Sequence, residues 1–351
     1  MMNLSILLSP LSLLFGAVAT VRGKLFDWGI LRQHSFSTPI ICVGNLSVGG
    51  TGKTPHVEHI LRLLHAEGLR VAMLSRGYGR HTRGYVLAED GVTARELGDE
   101  PFQVWQNCPY ATVAVCEKRV EGIHHLLQLP SPPEVIVLDD AYQHRYVKAG
   151  LNILLTDSHR LFTHDHLLPW GRLREPASAA RRAQAIVVTK CDGDRRPSLM
   201  VDAGQQLFYS RISYAPLQPA FASQGQPLAQ PHCSGRKVLL VAAIANPQPL
   251  LRHLEAEGAQ VGLMEFRDHH DFTSSDARRI TREWREGNYQ MAVTTQKDVE
   301  RLQHIATQLP AEWHDNLYVQ PITVEVATAH PEQQPFNQII IDYVTKNQRN
   351  S

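Results

Sequence analysis

The chain has 351 residues, 43% hydrophobic and 20% charged, with 35 Lys and Arg against 34 Asp and Glu, for a formal net charge of +1. That length accommodates two domains, and the composition is globular, which excludes a disordered or low-complexity chain. The near-neutral balance leaves no global basic footprint for nucleic acid, and the five cysteines (Cys42, Cys108, Cys116, Cys191, Cys233) form no C-x-x-C pair or Cys/His ligand spacing, which fits a reducing compartment without structural zinc.

The N-terminal stretch from Leu4 to Val21 carries no charge. Ser9 and Pro10 read as an N-cap and first-turn proline, and Leu11, Leu14, Phe15, Val18, Val21, Leu25 and Trp28 then recur at helical spacing. A signal peptide would carry positive charge ahead of its apolar core, whereas Arg22, Lys24 and Arg32 come after it. A spanning helix needs about twenty strongly apolar residues, and Ser5, Ser12, Gly16 and Thr20 dilute this one. The spacing predicts an amphipathic helix lying at a bilayer surface, with a helix packed on the protein's own core as the alternative.

Pro39 to Val43 reads as a buried strand, and His56 to Leu64 has helical spacing. Between them lies Ser47-Val48-Gly49-Gly50-Thr51-Gly52-Lys53-Thr54, the layout of a nucleotide phosphate loop. Gly49, Gly50, Thr51 and Gly52 would wrap an anion with backbone N–H groups, Lys53 would reach the outer phosphates, and the Thr54 hydroxyl would hold Mg²⁺. Ser47 stands where the usual pattern begins with glycine.

Arg70 to Leu74 reads as the next strand, ending in Ser75-Arg76-Gly77-Tyr78-Gly79-Arg80, where Arg76 and Arg80 are either phosphate contacts or part of a solvated turn. Gly98-Asp99-Glu100-Pro101 reads alone as a capped helix start, with catalytic or metal-facing carboxylates as the alternative. Thr112 to Cys116 is a strand with a helix from Glu117 to about Leu127, and Val135-Ile136-Val137-Leu138-Asp139-Asp140 is an apolar strand ending in acids, the second half of a phosphate-loop nucleotide site.

Two further strands, Asn152 to Asp157 and Ala185 to Lys190, flank the loop Leu167 to Pro176, whose Arg172 and Arg174 suit an anionic substrate or a salt-bridged turn. Composition shifts from Ser210 to Ser234, after which strands and helices alternate again. The predicted fold is α/β: a phosphate-loop NTPase-like, mostly parallel sheet flanked by helices, with a second, smaller α/β domain and an N-terminal interfacial helix. The predicted boundaries are 1–32 for the helix, 33–208 for the nucleotide domain, 209–234 for a connector and 235–351 for the smaller domain.

In their order and number, the segments Val43 to Pro55, Ser75 to Gly79, Gly98 to Pro101, Asp139 to His144, Leu173 to Pro176, Asp268-His269-His270 and Thr294 to Asp298 resemble the tetraacyldisaccharide 4'-kinase family of lipid A synthesis, Ser47 included. The resemblance spans about Leu11 to Leu302. It implies a peripheral enzyme on the cytoplasmic face of the bacterial inner membrane. With ATP and Mg²⁺, such an enzyme phosphorylates the 4'-hydroxyl of an acylated glucosamine disaccharide 1-phosphate. It also implies that Asp99, paired with His269, activates that hydroxyl, that Lys53 is catalytic, and that Thr54, Glu100, Asp139 and Asp140 surround the metal. Asn45 is a candidate substrate contact, and Arg76, Arg119, His144, Arg172 and Arg174 are candidates for gripping the substrate's sugar, its 1-phosphate or the nucleotide phosphates. Ala141, Tyr142, Arg267, Gln296 and Ala243 to Pro247 depart from the family's common pattern.

Two rivals share the loop. A partitioning-type ATPase would carry a lysine before the paired glycines, where Val48 stands. A GTPase switch is suggested by Thr189-Lys190-Cys191-Asp192, but Asp139-Asp140-Ala141-Tyr142 lacks a switch's Asp-x-x-Gly, and Thr189 to Asp192 reads as a polar loop.

Overall fold

Runs such as Ile40–Asn45 and Val135–Asp139 are buried along their whole length, the mark of parallel strands covered on both faces. The computed structural model describes residues 9–191, 196–221, 231–268 and 270–348. The chain divides into two units, Met1–Ile212 with Val324–Ser351, and Ser213–Thr323.

The first unit runs through α1 (Ser9–Asp27), β1 (Ile40–Asn45), α2 (Lys53–Ala66), β2 (Val71–Ser75), β3 (Val86–Leu87), the short α3 (Ala94–Leu97), α4 (Asp99–Asn107), β4 (Thr112–Val115), α5 (Arg119–Leu127), β5 (Val135–Asp139), β6 (Leu151–Asp157), β7 (Ala185–Thr189) and β8 (Gln206–Tyr214). The second unit contains β9 (Gln218–Pro219), β10 (Lys237–Ala242), α6 (Gln248–Ala256), β11 (Gln260–Glu265), α7 (Ser274–Gly287), β12 (Met291–Thr295), α8 (Gln296–Gln303), α9 (Ala311–Asp315) and β13 (Leu317–Gln320). The chain returns through β14 (Ile322–Thr328) and α10 (Phe336–Gln348).

In the first unit the strand order is β14-β8-β7-β6-β1-β5-β2-β4-β3. The six pairings from β8 through to β4 are parallel, and β3 is antiparallel to β4. Parallel pairing gathers the carboxyl ends of β1, β2, β5, β6 and β7 along one edge, where α/β sheets bind ligands. Helix α2 covers the sheet with Val57, Ile60, Leu61 and Leu64, an i, i+3, i+4, i+7 stripe that is wholly buried. Each such side chain contributes about 1.5–3 kcal/mol, which anchors the first turn of α2, and the loop before it, to the sheet.

The second unit is a five-stranded sheet, β11-β10-β12-β13-β9, with its own core around Leu239, Val241, Ile280, Trp284 and Trp313. Its extent differs from the predicted 235–351. Strand β8, which straddles the predicted boundary between 208 and 209, pairs with β7. Strand β14 lies beside β8, and α10 places Phe336, Ile340 and Val344 in the first unit's core. Tyr343 on α10 donates its hydroxyl to the Ile40 carbonyl at 3.0 Å and accepts the Ile40 N–H at 3.0 Å. Strands β13 and β14 are separated at Pro321, which has no N–H to continue a ladder.

Helix α1 docks by its polar and small face. Ser12 Oγ donates to the Leu167 carbonyl at 2.7 Å, and a Cβ on Gly16 would come within 2.6 Å of Leu167 Cδ1. Arg145 reaches back to Asp27 at 2.7 Å and to the Gly23 carbonyl at 2.8 Å, and Phe26 meets Tyr146 edge-on at 5.1 Å. The opposite face leaves Leu11, Leu13, Leu14, Val18 and Val21 more than half exposed. Among the described residues no helix is long and apolar enough to cross a membrane.

Candidate active site

Strand β1 delivers the loop at the carboxyl edge of the sheet. Gly49 and Gly52 adopt φ of 111° and 78°, and Gly52 is the N-cap of α2. Only glycine adopts such torsions readily, so the loop can turn its amides toward an anion that the positive end of the helix dipole also favours. Three side chains hold loop carbonyls from outside. Asn45 Nδ2 donates to Thr51 Oγ1 at 2.9 Å and to the Gly49 carbonyl at 3.5 Å. Lys190 Nζ donates to the Gly50 carbonyl at 2.5 Å. His56 Nδ1 donates to the Gly52 carbonyl at 2.7 Å, and its Nε2 accepts from Ser210 Oγ at 2.9 Å. Burial pushes the His56 pKa down to about 4, so the ring is neutral and Nε2 is left as the acceptor.

Asp139 ends β5, level with Val43 on β1 and beside Ser75 at the end of β2, whose Oγ donates to Asp139 Oδ2 at 3.1 Å. Burial, together with the charges of Asp140 and Glu100, pushes its pKa up to about 6 against the opposing pull of Lys53. Asp140 adopts a left-handed φ of 45°. Burial opposes its ionisation, but Lys53 (Nζ to Oδ1, 3.6 Å) and Arg174 (Nη1 to Oδ2, 3.2 Å) outweigh it and hold the pKa below the ordinary value. Two adjacent acids thus take opposite characters from their surroundings.

The residues fit a divalent cation. Asp139 Oδ1 is buried without a hydrogen-bond partner, an orphaned acceptor that a cation or its water would satisfy. Among the described residues no three His, Cys, Asp or Glu side chains converge to hold a metal, so Glu100, Asp139 and Asp140 do not form a cage. A cation here would be shared among Asp139, the Thr54 hydroxyl and phosphate oxygens of a nucleotide.

Asp99 is the first residue of α4. The N-cap position belongs to Gly98, at φ 92°, so the capping role expected from sequence falls one residue earlier. A Cβ on Gly98 would meet the Tyr78 carbonyl at 2.9 Å, and one on Gly77 would meet the Leu97 carbonyl at 2.7 Å. Those close approaches lock the Arg76 loop against the start of α4, and the Glu100 charge there lies near enough to Asp139 to help raise its pKa. His269 lies outside the described residues.

The anion-gripping candidates separate. Arg76 is exposed at the end of β2. Arg119 is buried, its guanidinium donating to the Cys116 carbonyl at 3.0 Å and the Asp139 carbonyl at 3.3 Å, which makes it part of the wall. Burial, with Arg119, Arg22 and Arg76 nearby, pushes the His144 pKa down to about 4. The Arg172 carbonyl accepts the Val48 N–H at 2.8 Å, and its guanidinium lies 4.0 Å from a Cβ built on Gly49. Arg174 is committed to Asp140. Asn45 is fully buried and bonds the loop itself rather than facing solvent. Sequence reading missed His56, Ser75 and Ser210, and took Lys190 for part of a polar loop. A histidine on the buried stripe of α2 was the one signal available for the first.

A family model described as "Tetraacyldisaccharide-1-P 4'-kinase" matches residues 4–344. The tetraacyldisaccharide 4'-kinase of Bacteroides thetaiotaomicron is 47% identical over 98% of this chain and 94% of its own length. That of Flavobacterium johnsoniae is 40% identical over 97% of each. A crystal structure of LpxK from Aquifex aeolicus in complex with ATP superposes with a TM-score of 0.76 at 28% identity, covering 98% of this chain and 99% of that one.

Proposed function

The chain belongs to the tetraacyldisaccharide-1-P 4'-kinase family, and from that premise we propose the chemistry of its site. It is an ATP-dependent kinase of lipid A biosynthesis: the γ-phosphoryl group of ATP passes to the 4'-hydroxyl of an acylated glucosamine disaccharide 1-phosphate, leaving ADP. The observation that carries this reading is the near-end-to-end family match on a chain whose phosphate loop, at β1, stands next to the buried Asp139 at the end of β5. An ATPase or GTPase switch is not favoured.

Phosphoryl transfer asks mainly for positioning and charge neutralisation. The loop amides of Gly49 to Lys53 hold the phosphates, and the Lys53 ammonium, parked on Asp140 at 3.6 Å, moves to the transferring phosphoryl oxygens. Mg²⁺ bound beside Asp139 and Thr54 supplies further neutralisation. Asp99 takes the proton of the attacking 4'-hydroxyl. The exposed Arg76 and Arg172 reach the anionic parts of the acceptor.

Mass spectrometry of a lipid A precursor incubated with the protein and Mg·ATP tests the assignment. Gain of one phosphate on the acceptor is expected, and nucleotide hydrolysis without acceptor phosphorylation contradicts it. Asp99→Asn should lower turnover by about a hundredfold, the usual share of a general base, with ATP affinity near normal. Retention of most activity would remove Asp99 from the base role.

The acyl chains and the membrane surface are assigned to the open face of α1. Leu13 is 72% exposed, Leu14 64% and Val18 61%, and Arg22 and Lys24 follow them as cations for headgroups. The enzyme is peripheral, on the cytoplasmic face of the inner membrane. Replacing Leu14 and Val18 together by glutamate leaves the buried face of α1 untouched. It should weaken partitioning onto phospholipid vesicles by about tenfold or more, the equivalent of roughly 1.4 kcal/mol or more of lost burial. Unchanged sedimentation with vesicles would end the interfacial assignment.

A further inference from the structure

Lys190 is the first residue after β7, 140 positions from the loop it touches. It holds φ at 58°, a left-handed torsion that lysine rarely takes. Such a conformation persists where neighbours over-determine it, and here they do. Ser158 Oγ donates to the Lys190 carbonyl at 2.6 Å, and Ser158 N donates to the Thr189 carbonyl at 2.9 Å. The ammonium is fixed between Asp157 Oδ2 at 2.7 Å and the Gly50 carbonyl at 2.5 Å. Asp157 is held in turn, its Oδ1 accepting the His159 N–H at 2.9 Å.

We infer that Lys190, seated by Asp157, is a positioning residue that sets the phosphate loop in its anion-binding form. The inference rests on the reading of that loop as the ATP site. A trans peptide is planar, with its C=O and the following N–H on opposite sides. Pinning the Gly50 oxygen on Lys190 therefore turns the Thr51 N–H away from that ammonium. Glycine offers little resistance to a flipped peptide, and a flip would present a carbonyl oxygen to the incoming phosphate. Asn45 and His56 treat the Gly49 and Gly52 carbonyls in the same manner. Lys190 is the one of the three that carries a full charge, since His56 is neutral, and charge-assisted bonds are roughly twice as strong as neutral ones.

Titration of the full chain with a non-hydrolysable ATP analogue and Mg²⁺ tests this. Lys190→Met keeps the stem and removes the donor. Its dissociation constant should rise about tenfold, the worth of a charge-assisted bond, with the KM for the lipid acceptor unchanged. Lys190→Arg, still a cationic donor, should recover most of the affinity, a rescue that a purely structural role would not produce. Asp157→Asn should weaken nucleotide binding in the same direction by less. Wild-type affinity in Lys190→Met overturns the inference. If that variant melts earlier without nucleotide, Asp157→Asn decides, and unchanged affinity there overturns it. Failure of the wild type to bind the analogue overturns the kinase reading itself, and this inference with it.

Discussion

Lys53→Met is expected to lower kcat/KM by about a thousandfold or more, the scale of removing a charge aimed at the transferring phosphoryl group. The reasoning begins with where the ammonium sits before nucleotide arrives. It is 3.6 Å from Asp140 Oδ1, a pair in which Lys53 is 17% exposed and Asp140 31%. Arg174 also holds Asp140, at 3.2 Å from Oδ2. When Lys53 leaves for the phosphates, Arg174 keeps the carboxylate neutralised, so the transfer of the lysine does not strand a half-buried charge. In the methionine variant the loop amides remain, so nucleotide binding should fall less than turnover does. Lys53→Arg should not restore the rate, because the planar guanidinium demands more room and a different donor geometry than a point ammonium. Steady-state kinetics against the lipid acceptor, with binding of an ATP analogue measured in parallel, separate the two effects. Turnover within about tenfold of wild type in Lys53→Met would remove the lysine from the transfer step.

Much of the nucleotide half was readable because its signals are local. A fully buried parallel strand is a continuous apolar run, as at Val71–Ser75 and Ala185–Thr189, and a phosphate loop needs glycines at fixed offsets before Lys and Thr. The unread parts are those whose meaning depends on distant partners. Strand β8 reads Gln206-Leu-Phe-Tyr-Ser-Arg-Ile-Ser-Tyr214, buried over Leu207 to Ser210 and partly open beyond, which in sequence blurs into a connector. Helix α10 joins β1 across 303 residues, from Tyr343 to Ile40, a connection that no local pattern encodes. Helix α1 shows the converse case: its apolar spacing was plain, but only tertiary bonds from Ser12 and Arg145 decide which face docks, and the docking face is the less apolar one. Asn45, Arg119 and Arg174 looked like free substrate contacts because a sequence shows donors without their acceptors. Folded, all three are bonded within the wall of the site.

Asp139→Asn should make the metal-free protein more stable while lowering its activity by about a thousandfold, a loss on the scale of removing one charge-stabilising group in phosphoryl transfer. The two effects have one cause. Burial and the neighbouring charges of Asp140 and Glu100 raise the Asp139 pKa from the ordinary 3.8 to about 6. Between those values the folded chain binds a proton that the unfolded chain has released, so stability falls as pH rises through the window and stays lowered above it. By pH 7 the accumulated cost is up to about 3 kcal/mol, since every tenfold change in proton affinity is worth about 1.4 kcal/mol. Asparagine carries no charge to desolvate and can still accept the Ser75 hydroxyl. In chelator at pH 7 its unfolding free energy should therefore exceed that of the wild type, and the gap should close on acidification toward pH 4, where the native carboxyl is already protonated. The same orphaned Oδ1 that makes the carboxylate costly without metal is what a bound cation or its water would occupy, so Mg²⁺ should stabilise the wild type and leave the variant little changed. Chemical denaturation at pH 4 and pH 7, with and without Mg²⁺, measures all four states. A variant that is less stable than wild type in chelator at pH 7, or that phosphorylates the acceptor at near wild-type rate, would show that Asp139 is held for the fold and not for the cation.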